Sequence, residues 1–300
     1  MLRTEYVRPV HELLAGHAAD RGDRVAFADD VRSVTYAELS ATTARLAGHL
    51  QRLGLGRGEK ALLYLDNRVE VAESYLAVPR AGAVAVCVNP GSAPDEVAHV
   101  LDDSAARVVV TDAAHLPAVR GLLAAGREPA AVLVVDPVPD GSSGGTEQSY
   151  AALLDTPAPP PRDCLGLDDT AWMLYTSGTT GRPKGVYLTP RGCLWVVAAC
   201  LAPIAGLGPD DVLLSPLPLF HSYALVLCVL GVAAVGATGR ILVRFSVDDV
   251  RERLAGGPEG PPTVFPGVPT MFSTSSTGCP RWTLRRCVRA SRRARSCPPR

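Results

Sequence analysis

The sequence predicts an α/β fold of mainly parallel sheets flanked by helices. Short apolar runs alternate with helical spacings through the first 135 residues. The intervening helices are long enough to return the chain across a sheet, which parallel pairing requires. The composition, 47% hydrophobic and 20% charged over 300 residues, supplies the core that a sheet covered on both faces needs.

Taken in order, Thr35 is placed as a helix N-cap, and Glu38 three residues later completes a capping box. Leu39, Leu46, Ala47 and Leu50 follow at helical spacing, and Gly54 ends the segment. Residues 60–65 (KALLYL) read as a strand, 69–80 as a helix and 84–88 as a second strand. A helix over 95–102 precedes strands at 106–111 and 131–135. Residues 137–163 are rich in Pro, Gly and Ser, and read as loops around a short helix at 150–154. They form either a hinge or a surface excursion within one domain. A strand at 171–175 then enters a polar glycine loop. After it come a helix near 191–201, a strand at 212–215, a helix over 224–235 and a strand at 240–245. Ser246 caps a further helix, and 263–265 is a last short strand. There is no internal repeat.

Composition also excludes function classes. The formal charge is zero, but the last twenty residues hold eight arginines and no acid. The remaining body has 22 basic against 30 acidic residues, so it offers no general surface for nucleic acid. Cys87, Cys193, Cys200 and Cys228 lie in apolar stretches and no C-x-x-C pair occurs, so buried, reduced thiols are expected. Charges are scattered through MLRTEYVRPVHELL where a signal peptide needs an apolar block. The weakly charged run 222–239 approaches membrane length. It carries three glycines and follows Pro216, Pro218 and His221, so it reads as a buried helix, not a membrane span. A cytoplasmic location follows as the expectation.

The chemistry concentrates in Thr176-Ser177-Gly178-Thr179-Thr180-Gly181-Arg182-Pro183-Lys184-Gly185. Glycines allow close backbone approach and free amide N–H groups to converge. The hydroxyls of Thr176, Ser177, Thr179 and Thr180 add donors without charge, and Lys184 adds one mobile cation. Such a set suits a polyphosphate, whose many oxygens need donors and whose charge needs partial neutralisation. The order G-x-x-x-x-G-K-[ST] is absent, so this is not a Walker A loop.

This segment resembles the signature loop of the adenylate-forming (AMP-binding) superfamily, which includes acyl-CoA synthetases and peptide-synthetase adenylation domains. The resemblance extends upstream through TYAEL, GLGRGEKALLYLDNRVEVAESYLAVPRAGAV and VNPGSAPDEVAHVLDDSAARVVVTD. Downstream, PLPLFH (Pro216 to His221) is similar to the next family motif, and Val268-Pro269-Thr270-Met271-Phe272 to the start of the substrate-binding wall. The resemblance implies the N-terminal domain of the adenylate-forming fold. It also implies a two-step reaction: a small-molecule carboxylic acid, fatty or aryl, becomes its acyl-AMP, and a thiol then displaces AMP. ATP and Mg²⁺ would serve the first step. CoA, or the phosphopantetheine arm of an acyl or peptidyl carrier protein, would serve the second. Thr176, Ser177, Gly178, Thr179, Thr180 and Gly181 would hold the β- and γ-phosphates with Lys184 assisting, and His221 would stand near the carboxylate pocket as the catalytic candidate. Alternatives to the CoA ligase are a starter-unit ligase loading a polyketide or peptide assembly line and a non-catalytic nucleotide-binding fragment.

The chain departs from the family pattern in places. Pro190 stands where relatives carry histidine, Cys87 where they carry proline, and Pro79 interrupts a helix. Family members continue for about as long again, through a Y-G-x-T-E segment, an aspartate motif for the ribose and a small C-terminal domain with a catalytic lysine. A truncated copy is therefore expected, with a partial AMP-binding domain over 1–272 and an aberrant Arg-rich tail over 273–300. The tail, RASRRARSCPPR after Val288, fits a shifted reading frame in GC-rich DNA better than a basic binding arm. Once folded, such a chain should expose sheet edges and apolar surface.

Overall fold

The computed structural model describes residues 1–137, 145–176, 182–256 and 260–271. Ser177 to Gly181 and the Arg-rich tail lie outside the described residues. The chain opens with α1 (Val10–Arg21), β1 (Val25–Ala28), β2 (Ser33–Thr35) and α2 (Tyr36–Arg52). Thr35 caps α2: its hydroxyl accepts from the Glu38 amide at 3.3 Å, and the Glu38 carboxylate accepts from the Thr35 amide at 2.8 Å. Leu39, Leu46, Ala47 and Leu50 are buried completely, as their spacing predicts.

Strands and helices then alternate: β3 (Lys60–Tyr64), α3 (Val69–Arg80), β4 (Val84–Cys87), α4 (Pro94–Ser104), β5 (Val108–Thr111), α5 (Leu116–Ala124) and β6 (Ala131–Val134). Next come β7 (Glu147–Ser149), α6 (Tyr150–Asp155) and the antiparallel pair β8 (Trp172–Thr176) and β9 (Lys184–Leu188). Helix α7 (Pro190–Val196) continues into a π-helical turn, Val197–Leu201, and is followed by β10 (Val212–Ser215). One helical run holds α8 (Ser222–Ala224), the π-helical Leu225–Gly231 and α9 (Val232–Val235). Strand β11 (Thr238–Ile241) and α10 (Val247–Ala255), capped by Ser246, come last.

Among the described residues, seven strands form one sheet in the order β7-β6-β5-β3-β4-β8-β9, parallel except for the β9 edge. A second sheet has the order β10-β11-β1-β2, parallel except for β2. Alternate residues of β3 show how the large sheet is covered. Leu62 and Tyr64 join the apolar cluster of α4 and α5. Ala61 and Leu63 join the main core, where α2, α3 and the 222–235 run fill the space between the sheets. Helix α10 covers the outer face of the small sheet through Val250, against Leu214 and Leu242.

Several elements differ from expectation for physical reasons. Strands β2 and β7 are three residues long, too short for alternation to register, and the sequence reading also misses β1. The strand expected at 240–245 is β11, two residues earlier. Gly236 stops the preceding helix in the left-handed region (φ 78°), and the chain pairs at once, Gly239 with Phe27. Of the strand expected at 263–265, only Val264 makes a bridge, to Leu213. Cys200 is exposed, correcting the expectation that it is buried. It follows Cys193 by seven residues, which would share a face in an α-helix. The π-helical turn advances less per residue and rotates Cys200 outward. Cys87, Cys193 and Cys228 are buried free thiols.

Pro79 is accommodated, not disruptive. A proline removes the N–H that would bond the carbonyl four residues earlier, here that of Tyr75. The indole N–H of Trp172 on β8 donates to that carbonyl at 3.0 Å. Pro190 is the first residue of α7 behind the N-cap Thr189, where a missing N–H costs nothing. The segment after β7 is a surface excursion within the same domain. It lies on α2 so closely that a Cβ at Gly48 would sit 2.1 Å from the Pro159 carbonyl oxygen. The β9 edge exposes Val186 and Tyr187, and α7 exposes Trp195 and Val196. No helix among the described residues is long and apolar enough to cross a membrane.

Candidate functional site

In the large sheet the chain passes from β3 outward to β4, returns across β3 to β5, and continues to β6 and β7. The point between β3 and β5 is therefore a topological switch, where helices leave on opposite faces and open a crevice at the carboxyl ends of the strands. A cavity of about 420 Å³ lies there. Its walls come from the carboxyl ends of strands in both sheets. Asp66 and Asn67 follow β3, Asn89 follows β4 and His115 follows β5. Phe220 follows β10, and Arg244 follows β11.

Asn67 organises this wall. Its side-chain amide donates to the carbonyls of Leu217 at 2.9 Å and Leu242 at 3.1 Å, and its oxygen accepts from the Leu219 amide at 2.8 Å. The Tyr75 hydroxyl donates to the Leu219 carbonyl at 2.9 Å. The PLPLFH motif is thus fixed at Leu217 and Leu219 from the large sheet and α3. Asp112 is buried and holds the opposite side. One of its oxygens accepts from the Asp66 amide at 2.9 Å, and the other lies 2.6 Å from Nδ1 of His115. The His115 ring meets Tyr64 edge-on at 4.6 Å. Arg244 approaches Asp66 at 3.4 Å across the mouth and is largely exposed.

His221 occupies the N-cap of α8 without a side-chain capping bond. Its ring lies 4.2 Å from that of Phe220, whose side lines the cavity, while His221 itself stands one residue outside the wall. Partial burial lowers its pKa and favours the neutral imidazole.

The glycine loop is carried by the β8–β9 hairpin. Thr176 and Lys184 face each other as the last ladder pair at its open end, both exposed. Of the residues expected to hold phosphates, these two are described, whereas Ser177, Gly178, Thr179, Thr180 and Gly181 lie outside the described residues. Cys87 pairs with Leu174, so Asn89 and Thr176 each stand two residues further along neighbouring strands. The hairpin mouth and the cavity therefore share one edge of the sheet. An ammonium and a hydroxyl are set there, one strand away from a walled cavity. Among the described residues, no group of three or more His, Cys, Asp or Glu side chains converges to hold a metal ion.

The sequence reading missed Asn67, Asp112 and His115. Asp112 follows β5 directly, and Asn67 and His115 come within four residues of the ends of β3 and β5; the rule that ligands collect at strand carboxyl ends is the signal that points to them.

Residues 14–288 match the AMP-binding enzyme family. The chain is 36% identical over 240 residues to chalcone synthase cfoA of Aspergillus candidus, which covers 76% of this chain and 8% of that protein. It is 35% identical over 246 residues to 4-coumarate–CoA ligase 5 of Oryza sativa subsp. japonica, covering 79% of this chain and 43% of the ligase. The structure of a benzoate CoA ligase from Burkholderia xenovorans LB400 matches with a TM-score of 0.79 at 28% identity, over 90% of this chain and 52% of that one. The chain spans about half the length of the CoA ligases it matches. Since the family match takes in the hairpin loop, every wall of the cavity and the PLPLFH motif, the chain belongs to the AMP-binding enzymes.

Proposed function

We propose that this chain carries the ATP-binding edge and an adjoining cavity of an acid–thiol ligase. The observation behind it is the hairpin mouth, with Lys184 opposite Thr176 at the sheet edge that also walls the cavity. The reaction is adenylation followed by thioester formation. A carboxylate oxygen attacks the α-phosphorus of ATP, the bond to pyrophosphate breaks, and acyl-AMP forms. The thiol sulfur of CoA then attacks the acyl carbon and AMP leaves. The chain's own part in the first step is positioning and electrostatic stabilisation. Lys184 places a cation against the phosphates, Thr176 offers a hydroxyl, and the 177–181 segment between them supplies backbone donors.

Aromatic acids are the first substrate class to test, because the similar ligases are named for 4-coumarate and benzoate. ATP binding by the chain should be measured by calorimetry, together with acid-dependent ATP–pyrophosphate exchange across aromatic and aliphatic acids. ATP binding is expected, and Lys184→Ala should weaken it about ten- to a hundredfold, the worth of a hydrogen bond to a charged group. A chain that binds no ATP at millimolar concentration defeats the proposal. Acid-dependent exchange by aliphatic acids alone would reassign the substrate class, and transfer to a carrier protein in place of CoA would reassign the acceptor.

A further inference from the structure

Helix α4 grips the hairpin that carries the glycine loop. His99 and Asp103 lie four residues apart, one turn along the same face of α4. The Tyr175 hydroxyl donates to Oδ2 of Asp103 at 2.6 Å. His99 Nε2 lies 3.0 Å from the Pro183 carbonyl, and since that oxygen only accepts, the imidazole donates. The two rings meet edge to face at 6.4 Å. Tyr175 immediately precedes Thr176 and Pro183 immediately precedes Lys184, so each strand of the hairpin is tied to α4 one residue from the ladder pair at its mouth.

Three features make these bonds decisive for where the mouth sits. Among the described residues, β9 is the edge of the sheet and pairs with β8 alone. Tyr175 packs on the α4 cluster, but a cavity of about 490 Å³ with His99, Asp102, Arg182 and Pro183 in its walls opens beside the hairpin end, so packing is incomplete there. The O–H to carboxylate bond is of the strong, charge-assisted kind, and burial together with Asp103 raises the Tyr175 pKa, which keeps the donor protonated.

We propose that His99 and Asp103 are positioning residues that fix the mouth of the β8–β9 hairpin against α4 for the phosphates of ATP, a role that rests on the ATP-binding reading above. Neither touches the nucleotide; both act through the backbone and side chain that flank the loop.

The test compares Tyr175→Phe, His99→Phe, their double variant and Asp103→Asn in the full chain, with ATP as the probe. His99→Phe keeps an edge-on ring and removes the donor, while Asp103→Asn keeps an acceptor for Tyr175. Each Phe variant should raise the Kd for ATP about three- to tenfold, one net hydrogen bond's worth, and Asp103→Asn, which keeps an acceptor without its charge, should fall between wild type and Tyr175→Phe. Hydrogen exchange should accelerate in peptides covering 173–187 and stay unchanged over 60–87. Exchange over 173–187 that remains wild-type in the double variant overturns the clamp, as does equal acceleration in both segments. Should the wild-type chain bind no ATP, the ligase reading falls, while the exchange result still decides whether α4 holds the hairpin.

Discussion

His17 shows how one side chain couples helix termination to pH. The 222–235 run ends at Gly236, and its last carbonyls need partners. Nε2 of His17 lies 3.1 Å from the Ala234 carbonyl, and the Tyr36 hydroxyl reaches the carbonyls of Ala237 at 2.7 Å and Val232 at 3.0 Å. Burial lowers the pKa of His17, with the carbonyl bond partly opposing it. A base whose pKa is depressed on folding binds more protons when unfolded, so stability is lost as pH falls through its unfolded value of about 6.5. The melting temperature should therefore drop between pH 7.5 and 5.5. His17→Gln, which keeps a donor and cannot titrate, should flatten that slope. An unchanged slope in the variant would remove His17 from the account.

At the scale of elements, the sequence was most informative where local chemistry marks the ends. Thr35 with Glu38, and Ser246 before its acidic turn, place two helices within a residue. Helix α3 was also legible, but its tolerance of Pro79 was not. The compensating donor, Trp172, lies 97 residues away in sequence from Tyr75, on strand β8. That pairing gives a double-mutant prediction. Trp172→Phe leaves the Tyr75 carbonyl buried and unpaired, a loss of about 1–3 kcal/mol beyond the change in packing. Pro79→Ala restores the N–H at position 79, which can bond the same carbonyl. The Trp172→Phe penalty, read from urea unfolding, should therefore shrink by about 1 kcal/mol in the Pro79→Ala background, because the packing change is common to both arms. Additive penalties would mean that the indole bond does not answer for the missing helical one.

Across the whole molecule, the glycine loop was legible because its donors are contiguous, whereas the cavity was not. Its walls are drawn from five strand ends between Asp66 and Arg244, and only the strand order brings them together. The same distribution makes the junction of the two sheets sensitive to single residues. Arg32, in the turn between β1 and β2, pairs with Glu70 at 2.9 Å and with the fully buried Glu73 on α3. Asn67 makes the second tie, and its three bonds run from the end of β3 to the segments after β10 and β11. Asn67→Ala strands one amide and two carbonyls, and should cost about 3 kcal/mol or more given roughly 1–3 kcal/mol per unsatisfied buried group. Asn67→Asp is the sharper test. An aspartate accepts from the Leu219 amide, but as a carboxylate it faces the Leu217 and Leu242 carbonyls with no proton to give. Its pKa should rise on folding, so the variant should be less destabilised relative to wild type at pH 5 than at pH 8, with that advantage lost as pH rises through the folded value. A urea midpoint that differs from wild type by the same amount at pH 5 and pH 8 in Asn67→Asp, or a near-neutral Asn67→Ala, would show that the sheets are held together at the cavity by packing alone.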